Sequence, residues 1–512
     1  MDPLTNNSID VGPNREAQRA ERLAAIERAL LTHPGVREAA VIQMSGNHVA
    51  AFVVPDSKFI DNDLGRAAAG SAIVGKWRKI FDLSQLSKQA NSASVGFNTM
   101  GWDSSYTRGA IPDEEMHEWV ENTVGDILRL KPRFLCEIGC GTGMLVMRVA
   151  PHCERYVAVD QSPAVLGRLR EQLRTAPDVA ARVEVVESQA AQLDRFSENT
   201  FDTLVLSSVV QFFPNVDYLS KVLENAINIV RPGGHVYVGD VRSLPLFRLF
   251  ATSVELFQSA DQLSAAELRE RIRRRVDREP ELVLSPAFFL SLPRRFPKVS
   301  RVDIRPLRGR ADNEMTRFRY EAILHVGHDN APVFDSEFLD WAERRWGLDE
   351  IRSMLRLHPS QAIGIKGIRN ARIEKDLAAM AILDGTDAGF TAGELRKKSE
   401  QSANKGIHAQ ALFDLENEDQ GFAVFLSWVA CRNDGTFDAF FIPKQNLQGS
   451  TFPAINWPAP DASAFLHHAN APGQGKMRND LTNRLMELCK QNLPQDSVPR
   501  EIILVDSLEH TS

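Results

Sequence analysis

The stretch "CEIGCGTGML", residues 136–145, sets three glycines, Gly139, Gly141 and Gly143, at every second position. "RFLCEIG" before it reads as a strand, and "GMLVMRVAPHC" after it as a helix. Glycines at such a turn let the backbone bend sharply and approach a ligand with no Cβ in the way. The first N–H groups of the helix then face the anionic part of that ligand. A dinucleotide fingerprint needs glycines at relative positions 1, 3 and 6; position 6 here is Met144. The same residues would also make a tight strand-to-helix turn with no ligand, so the surroundings of the loop must decide.

Outward from the loop, from about residue 115, helical and strand patterns alternate. "EEMHEWVENTVGDILRLKP", "SPAVLGRLREQLRTA" and "VDYLSKVLENAINIV" have helical spacing. "RYVAVD", "RVEVVES", "FDTLVLSSVVQFF" and "GGHVYVGDV" are short apolar runs rich in β-branched residues. This order predicts right-handed crossovers and a doubly wound parallel sheet of the α/β class. Ligands of such sheets bind beyond the carboxyl ends of the strands. Asp160 ends the strand after the loop, 17 residues past Gly143, where a carboxylate can accept both hydroxyls of a ribose. "DQSP" also reads as a helix entry, so a capping role stays open. Residues 188–190, "SQA", follow the third strand and so lie on the ligand side of the sheet, with a bland loop as the alternative. Gln211 lies just past the carboxyl end of the fourth strand, and Asp240 and Arg242 end the fifth. An Asp240–Arg242 ion pair fixing a loop is the structural alternative to a catalytic role.

At 512 residues the chain has room for two to four domains. A net charge of −7 argues against a nucleic-acid binder relying on a basic surface. Five cysteines without a CxxC pair make neither a disulfide framework nor a zinc ribbon, and point to the cytoplasm. The polar N-terminus lacks a signal-peptide core, and no run approaches 18 apolar residues, so no membrane span is expected. Twelve histidines show no HExxH or paired spacing, so no metal site is expected.

The ends of the chain form a second pattern. "RLAAIERALLTHPGV" is helical, and "REAAVIQMSGNHVAAFVVP" reads as two strands around a Ser-Gly-Asn turn. A unit of about 50 residues buries too little to stand alone. The helical "MRNDLTNRLMELCKQNLP" and the strand "PREIILVDSLEH" supply what it lacks. The two ends are therefore expected to meet, with everything between them inserted in a surface loop.

The G-x-G-x-G spacing, with Glu137 before it and Asp160 after it, resembles class I methyltransferases that use S-adenosyl-L-methionine, whose fold is the Rossmann-like doubly wound sheet. Five longer stretches resemble the N-methyltransferase domains embedded in nonribosomal peptide synthetases. They are "FNTMGWDSSYTRGAIPDEEMHEWV", "CEIGCGTGMLVMRVAPHCERYVAVDQSP", "SSVVQFFPNVDYL", "GGHVYVGDVRSLPL" and "NEMTRFRYEAILHV" with the later "GIRNARI". In that family the domain interrupts the small C-terminal part of an adenylation domain. "IERALLTHPGVREAAVIQ" and "LPQDSVPREIILVDSLEHT" look like its two halves.

The resemblance implies the following organisation: residues 1–64 and 476–512 as the split adenylation-type subdomain, 65–95 as a helical linker, and 96–345 as the methyltransferase core. Residues 346–445 would extend that core, and 446–475 would be a second linker. No phosphate loop ending in Lys precedes the first half, so amino-acid activation is not expected.

The implied reaction is methyl transfer to the α-amine of an aminoacyl or peptidyl thioester on a carrier protein bearing phosphopantetheine. Other synthetase subunits are possible partners. Tyr106, Glu137, Gly139, Gly141, Gly143, Asp160, Gln189, Ala190 and Ser207 are the expected cofactor contacts, with Tyr106 and Trp102 as a lid. Glu314, Gln211 and Asp240 are the candidates for orienting the amine, with Asn313 beside Glu314 as a capping alternative. Two alternatives stay open: O- or C-methylation of a side chain or free small molecule, and a non-catalytic docking module. The run "ELRERIRRRVDREPEL", 267–282, reads as an internally paired, solvated helix. A carrier-docking patch of Arg271, Arg274 and Arg275 is the sharper reading.

Overall fold

The computed structural model describes residues 13–43, 49–56, 75, 97–99, 101–328, 331–344, 346–385, 389–402, 406–418, 421–447, 452–460, 462–472, 474–505 and 508. The Ser-Gly-Asn turn and nearly all of the 65–95 segment lie outside the described residues. Residues 1–71 with 473–512 form one compact unit, and 72–472 form the other.

In the first unit, strands Val36–Gln43 and Val49–Pro55 pair antiparallel. Strand Glu501–Leu504 joins the second of them in parallel, Ile502 opposite Ala51. Helices Pro13–Leu31 and Gln474–Asn492 complete the unit. Ile26 and Leu30 from one end share a core with Leu485, Cys489 and Ile502 from the other. Neither end holds enough apolar surface for a core of its own, so burial requires both.

The larger unit is built on a seven-stranded sheet: β1 Phe134–Ile138, β2 Arg155–Asp160, β3 Val183–Glu187, β4 Phe201–Ser207, β5 Val230–Arg242, β6 Val299–Pro306 and β7 Arg319–Val326. Their order is β3-β2-β1-β4-β5-β7-β6. The first five are parallel, and β7 runs antiparallel to both β5 and β6. The helices that matter for the site are α1 Asp113–Arg129, α2 Pro163–Arg174, α3 Val216–Ile229, α4 Phe247–Gln258 and α5 Ala265–Asp277. Strand order reverses between β2-β1 and β4-β5, so a crevice opens above the carboxyl end of β1.

Two elements are shorter than their sequence patterns suggest. The fourth strand stops at Ser207, because Ser208 takes a left-handed conformation (φ 54) and Val210–Phe212 coils into a 3₁₀ turn. After the glycine loop the α-helix covers only Val146–Val149, followed by 3₁₀ Ala150–His152, where Pro151 has no N–H to offer the next turn.

Phe338–Asp340, Ile363–Ile368, Phe437–Pro443 and Phe422–Ser427 form a second sheet in that order. The last two pair antiparallel, Val424 opposite Phe441. Ile304 of β6 shares one core with Phe422 and Leu426 of this sheet. Within 446–475, Ala454–Ile455 pairs with Val333–Phe334, Phe452 is buried, and the Val283 N–H donates to Asn470 Oδ1 at 2.8 Å. The apolar residues among its prolines and glycines fix much of this stretch to the larger unit, unlike a free linker.

Candidate active site

Each glycine of the loop answers a different demand. All three have positive φ: 76 at Gly139, 54 at Gly141 and 92 at Gly143. The N–H groups of Gly139 and Cys140 donate to Val159 O at 2.7 and 3.0 Å, turning the chain across the end of β2. A Cβ at Gly139 would stand 2.7 Å from Val209 Cγ2, and one at Gly143 2.5 Å from Leu169 Cδ1 on α2. Those two glycines serve packing. A Cβ at Gly141 would meet nothing within 4 Å, because Gly141 borders open space. Its N–H donates to Asp160 Oδ2 at 3.1 Å, while Asp160 Oδ1 accepts from Ser162 N at 2.9 Å. The carboxylate thus splints the loop to the entry of α2, whose cap is Ser162 Oγ accepting from Val165 N.

That open space is a cavity of about 500 Å³ above the carboxyl ends of β1, β2, β4 and β5. Glu137, Gly139, Gly141 and Asp160 line one side, Ser188 and Ala190 follow from β3, and Ser207 from β4. Glu137 is buried and accepts the Tyr156 hydroxyl at 2.6 Å. Burial pushes its carboxyl up to about 7 even though that hydrogen bond opposes the shift. Trp102 lines the cavity and packs on Trp119, ring centroids 4.6 Å apart.

The other end is charged. Glu314, Arg319, Arg242, Arg275, Glu279 and Glu281 all line it. Glu314 opens the short helix Glu314–Phe318, capped by Asn313 Oδ1 accepting from Met315 N and Thr316 N. Glu314 accepts from Ser105 N at 2.7 Å, Ser105 Oγ at 3.0 Å and Arg319 at 3.2 Å. Arg242 lies 5.4 Å from the ring centroids of Phe247 and Phe250 and donates to Glu279 at 2.8 Å and Glu281 at 2.7 Å. Gln211 also lines the cavity; it is buried, and among the described residues its Oε1 has no hydrogen-bond partner, nor has Ser207 Oγ. Buried acceptors without donors are uncommon and costly, and they mark where a donor is missing.

Residues 136–236 match the family described as "Methyltransferase domain". The chain carries a methyltransferase domain. Over nearly its whole length it is also similar to segments of nonribosomal peptide synthetases. It is 34% identical over 508 residues to chondramide synthase cmdD of Chondromyces crocatus, covering 96% of this chain and 13% of that protein. It is 32% identical over 494 residues to the probable non-canonical nonribosomal peptide synthetase CymA of Salinispora arenicola, covering 95% of this chain and 6% of that one. The chain therefore spans a small fraction of the length of these curated relatives. Among solved structures, the N-methyltransferase NodS of Bradyrhizobium japonicum WM9 with S-adenosyl-L-homocysteine aligns at 16% identity over 41% of this chain and 87% of that one, TM-score 0.29. So distant a likeness carries no argument.

The cavity gathers Glu137, Gly139, Gly141, Asp160, Ala190, Ser207, Gln211 and Glu314 in its lining, and the other expected site residues lie elsewhere. Gly143 lies over Leu169. Gln189 does not line the cavity; its carbonyl accepts from Gln192 N at 3.0 Å. Tyr106 is turned onto α4: its hydroxyl donates to Ser253 Oγ at 3.0 Å and accepts from Arg317 at 3.1 Å, and burial raises its pKa to about 12. The neighbour that does enter the cavity is Ser105.

Asp240 stands behind the wall. The β5–β7 register shifts between Val238 and Val241, leaving Asp240 at φ 60. Such a bulge re-aims a side chain. Here Asp240 turns away from Arg242, and it accepts from Ser208 Oγ at 2.6 Å and Arg319 at 2.8 Å. The Asp240–Arg242 pair that adjacency suggests does not form. Sequence reading also missed Arg319, Glu279 and Glu281, although all three lie inside stretches it singled out. The described residues contain no cluster of acidic, His or Cys side chains able to hold a metal ion and no helix long and apolar enough to cross a membrane.

Proposed function

We propose that this chain is an S-adenosyl-L-methionine-dependent N-methyltransferase acting on the α-amine of a carrier-tethered aminoacyl or peptidyl thioester. The cofactor end offers what an adenosyl amino acid needs: a backbone cradle at Gly141, the Asp160 carboxylate for ribose hydroxyls, and the end of β3 at Ser188 and Ala190 for the base. When bound, the cofactor supplies an electrophilic methyl on sulfur. The residues of the chain align the acceptor, and such positioning supplies about 7–11 kcal/mol.

One observation supports nitrogen: the buried, unpartnered Gln211 Oε1, with Ser207 Oγ also in the cavity lining. A neutral amine has two N–H groups to give them and keeps its lone pair for the methyl. A carbon acceptor has no such hydrogen to give and would leave Gln211 Oε1 unpaired. Glu314 holds Ser105 of the 101–110 loop across the cavity and so shapes the acceptor end. A strong base is unnecessary: an α-amine titrates near 7.7–8.0, so about a tenth is neutral at pH 7. The similarity to synthetase segments supports the tether, and the five free cysteines suit a cytoplasmic setting.

The test is turnover with an aminoacyl-loaded carrier against the free amino acid. Methylation of the loaded carrier alone agrees with the reading, whereas methylation of the free amino acid at equal efficiency overturns it.

A further inference from the structure

Resting on the tethered acceptor above, we propose that the arginine face of α5 at the mouth of the cavity binds the phosphate of the tether. Between Ala265 and Arg278 there are six arginines and three acids, in a chain of net charge −7. Part of this charge is spent locally. Arg273 reaches Glu270 at 2.8 Å and Asp277 at 3.0 Å, Arg274 reaches Glu270 at 3.2 Å, and Arg269 donates to Leu383 O. The face around Arg275 differs. Arg275 lines the cavity and is held by Glu255 at 2.7 Å. Arg271 and Arg278, four residues before and three after, share that face. Both are exposed, and neither makes an ion pair among the described residues.

The three span ~10 Å along the helix and its end, at 1.5 Å per residue. Two other carboxylates of the cavity lining, Glu279 and Glu281, are turned onto Arg242. Guanidinium groups grouped in this way favour a phosphate, which accepts several charge-assisted hydrogen bonds at once. In a phosphopantetheine thioester the phosphate lies at the far end of the arm from the acyl group. The amine can therefore enter the cavity while the phosphate stays at its rim.

The test compares two acceptors with the same thioester, alanyl-pantetheine and alanyl-4′-phosphopantetheine, using the full chain. The expected result is a KM about tenfold lower for the phosphorylated acceptor, an advantage that shrinks as salt rises. In Arg271→Gln/Arg278→Gln the advantage should fall to about twofold, with kcat and the pantetheine KM unchanged. Arg275→Lys keeps a partner for Glu255 and should lose part of the advantage. Equal KM values for the two acceptors in the wild type, or an undiminished advantage in the double variant, would overturn the proposal. A preference seen only with a whole carrier protein would also overturn it, in favour of a protein contact. Should the wild type methylate neither acceptor, the tethered-amine reading fails and this inference falls with it.

Discussion

Arg319 sets one guanidinium nitrogen 2.8 Å from Asp240 Oδ2 and the other 3.2 Å from Glu314 Oε1, joining the bulge of β5 to the helix that carries Glu314. Burial raises the pKa of Asp240, and Arg319 pulls against that shift. Removing the cation leaves two buried carboxylates facing each other. Arg319→Gln should cost about 3–5 kcal/mol of stability in urea unfolding, with Arg319→Lys recovering part of it. Full stability in Arg319→Gln would show that the pair is dispensable.

The glycines separate packing from binding. Gly139→Ala drives a Cβ into Val209 and should lower stability by a few kcal/mol, the left-handed backbone contributing about 1–2 of them. Gly141→Ala meets no protein atom within 4 Å at its Cβ, so its stability loss is confined to the backbone term, while S-adenosyl-L-homocysteine affinity should fall at least about tenfold by titration calorimetry. Equal affinity in Gly141→Ala and wild type would remove this loop from the cofactor site.

Gln211→Met keeps the volume and removes the unpaired acceptor. We expect kcat to fall about tenfold or more with cofactor affinity unchanged, because the lost contact orients only the amine. A change in cofactor affinity with kcat intact would place Gln211 at the other end of the cavity.

The pH dependence follows from Glu137. Its folded pKa of about 7 lies above the ordinary 4.5, so the folded state holds this proton where the unfolded state has released it. The stabilisation is complete below pH 4.5 and is lost as pH rises through about 7, on the order of 3 kcal/mol. Glu321, also raised to about 7 by burial, acts in the same window. Glu137→Gln should therefore flatten the decline in unfolding free energy between pH 5 and pH 8 without abolishing it. An unchanged slope would mean that Glu137 titrates at its ordinary value.

The glycine-loop end of the cavity is readable in the sequence because local spacing encodes it. Glycine positions, the strand before them and the acid at the next strand end are fixed by backbone geometry within 30 residues. The charged end is tertiary. Arg242 meets Glu279 from 37 residues away, and Arg319 meets Asp240 from 79. The turn of Asp240 depends on a bulge whose cause is the mismatch of β5 with β7. Tyr106 reads as a lid from its motif, yet an apolar and cationic niche of Phe250, Phe257 and Arg317 holds it on α4, while Ser105 takes the place at the cavity. The same holds for Gly143, whose job is visible only once Leu169 lies beneath it.

The most direct measurement is tandem mass spectrometry of an aminoacyl thioester after turnover with S-adenosyl-L-methionine bearing a trideuterated methyl. The account predicts the label on the α-nitrogen. Label on oxygen or carbon, or an unlabelled acceptor with intact folded protein, would contradict it.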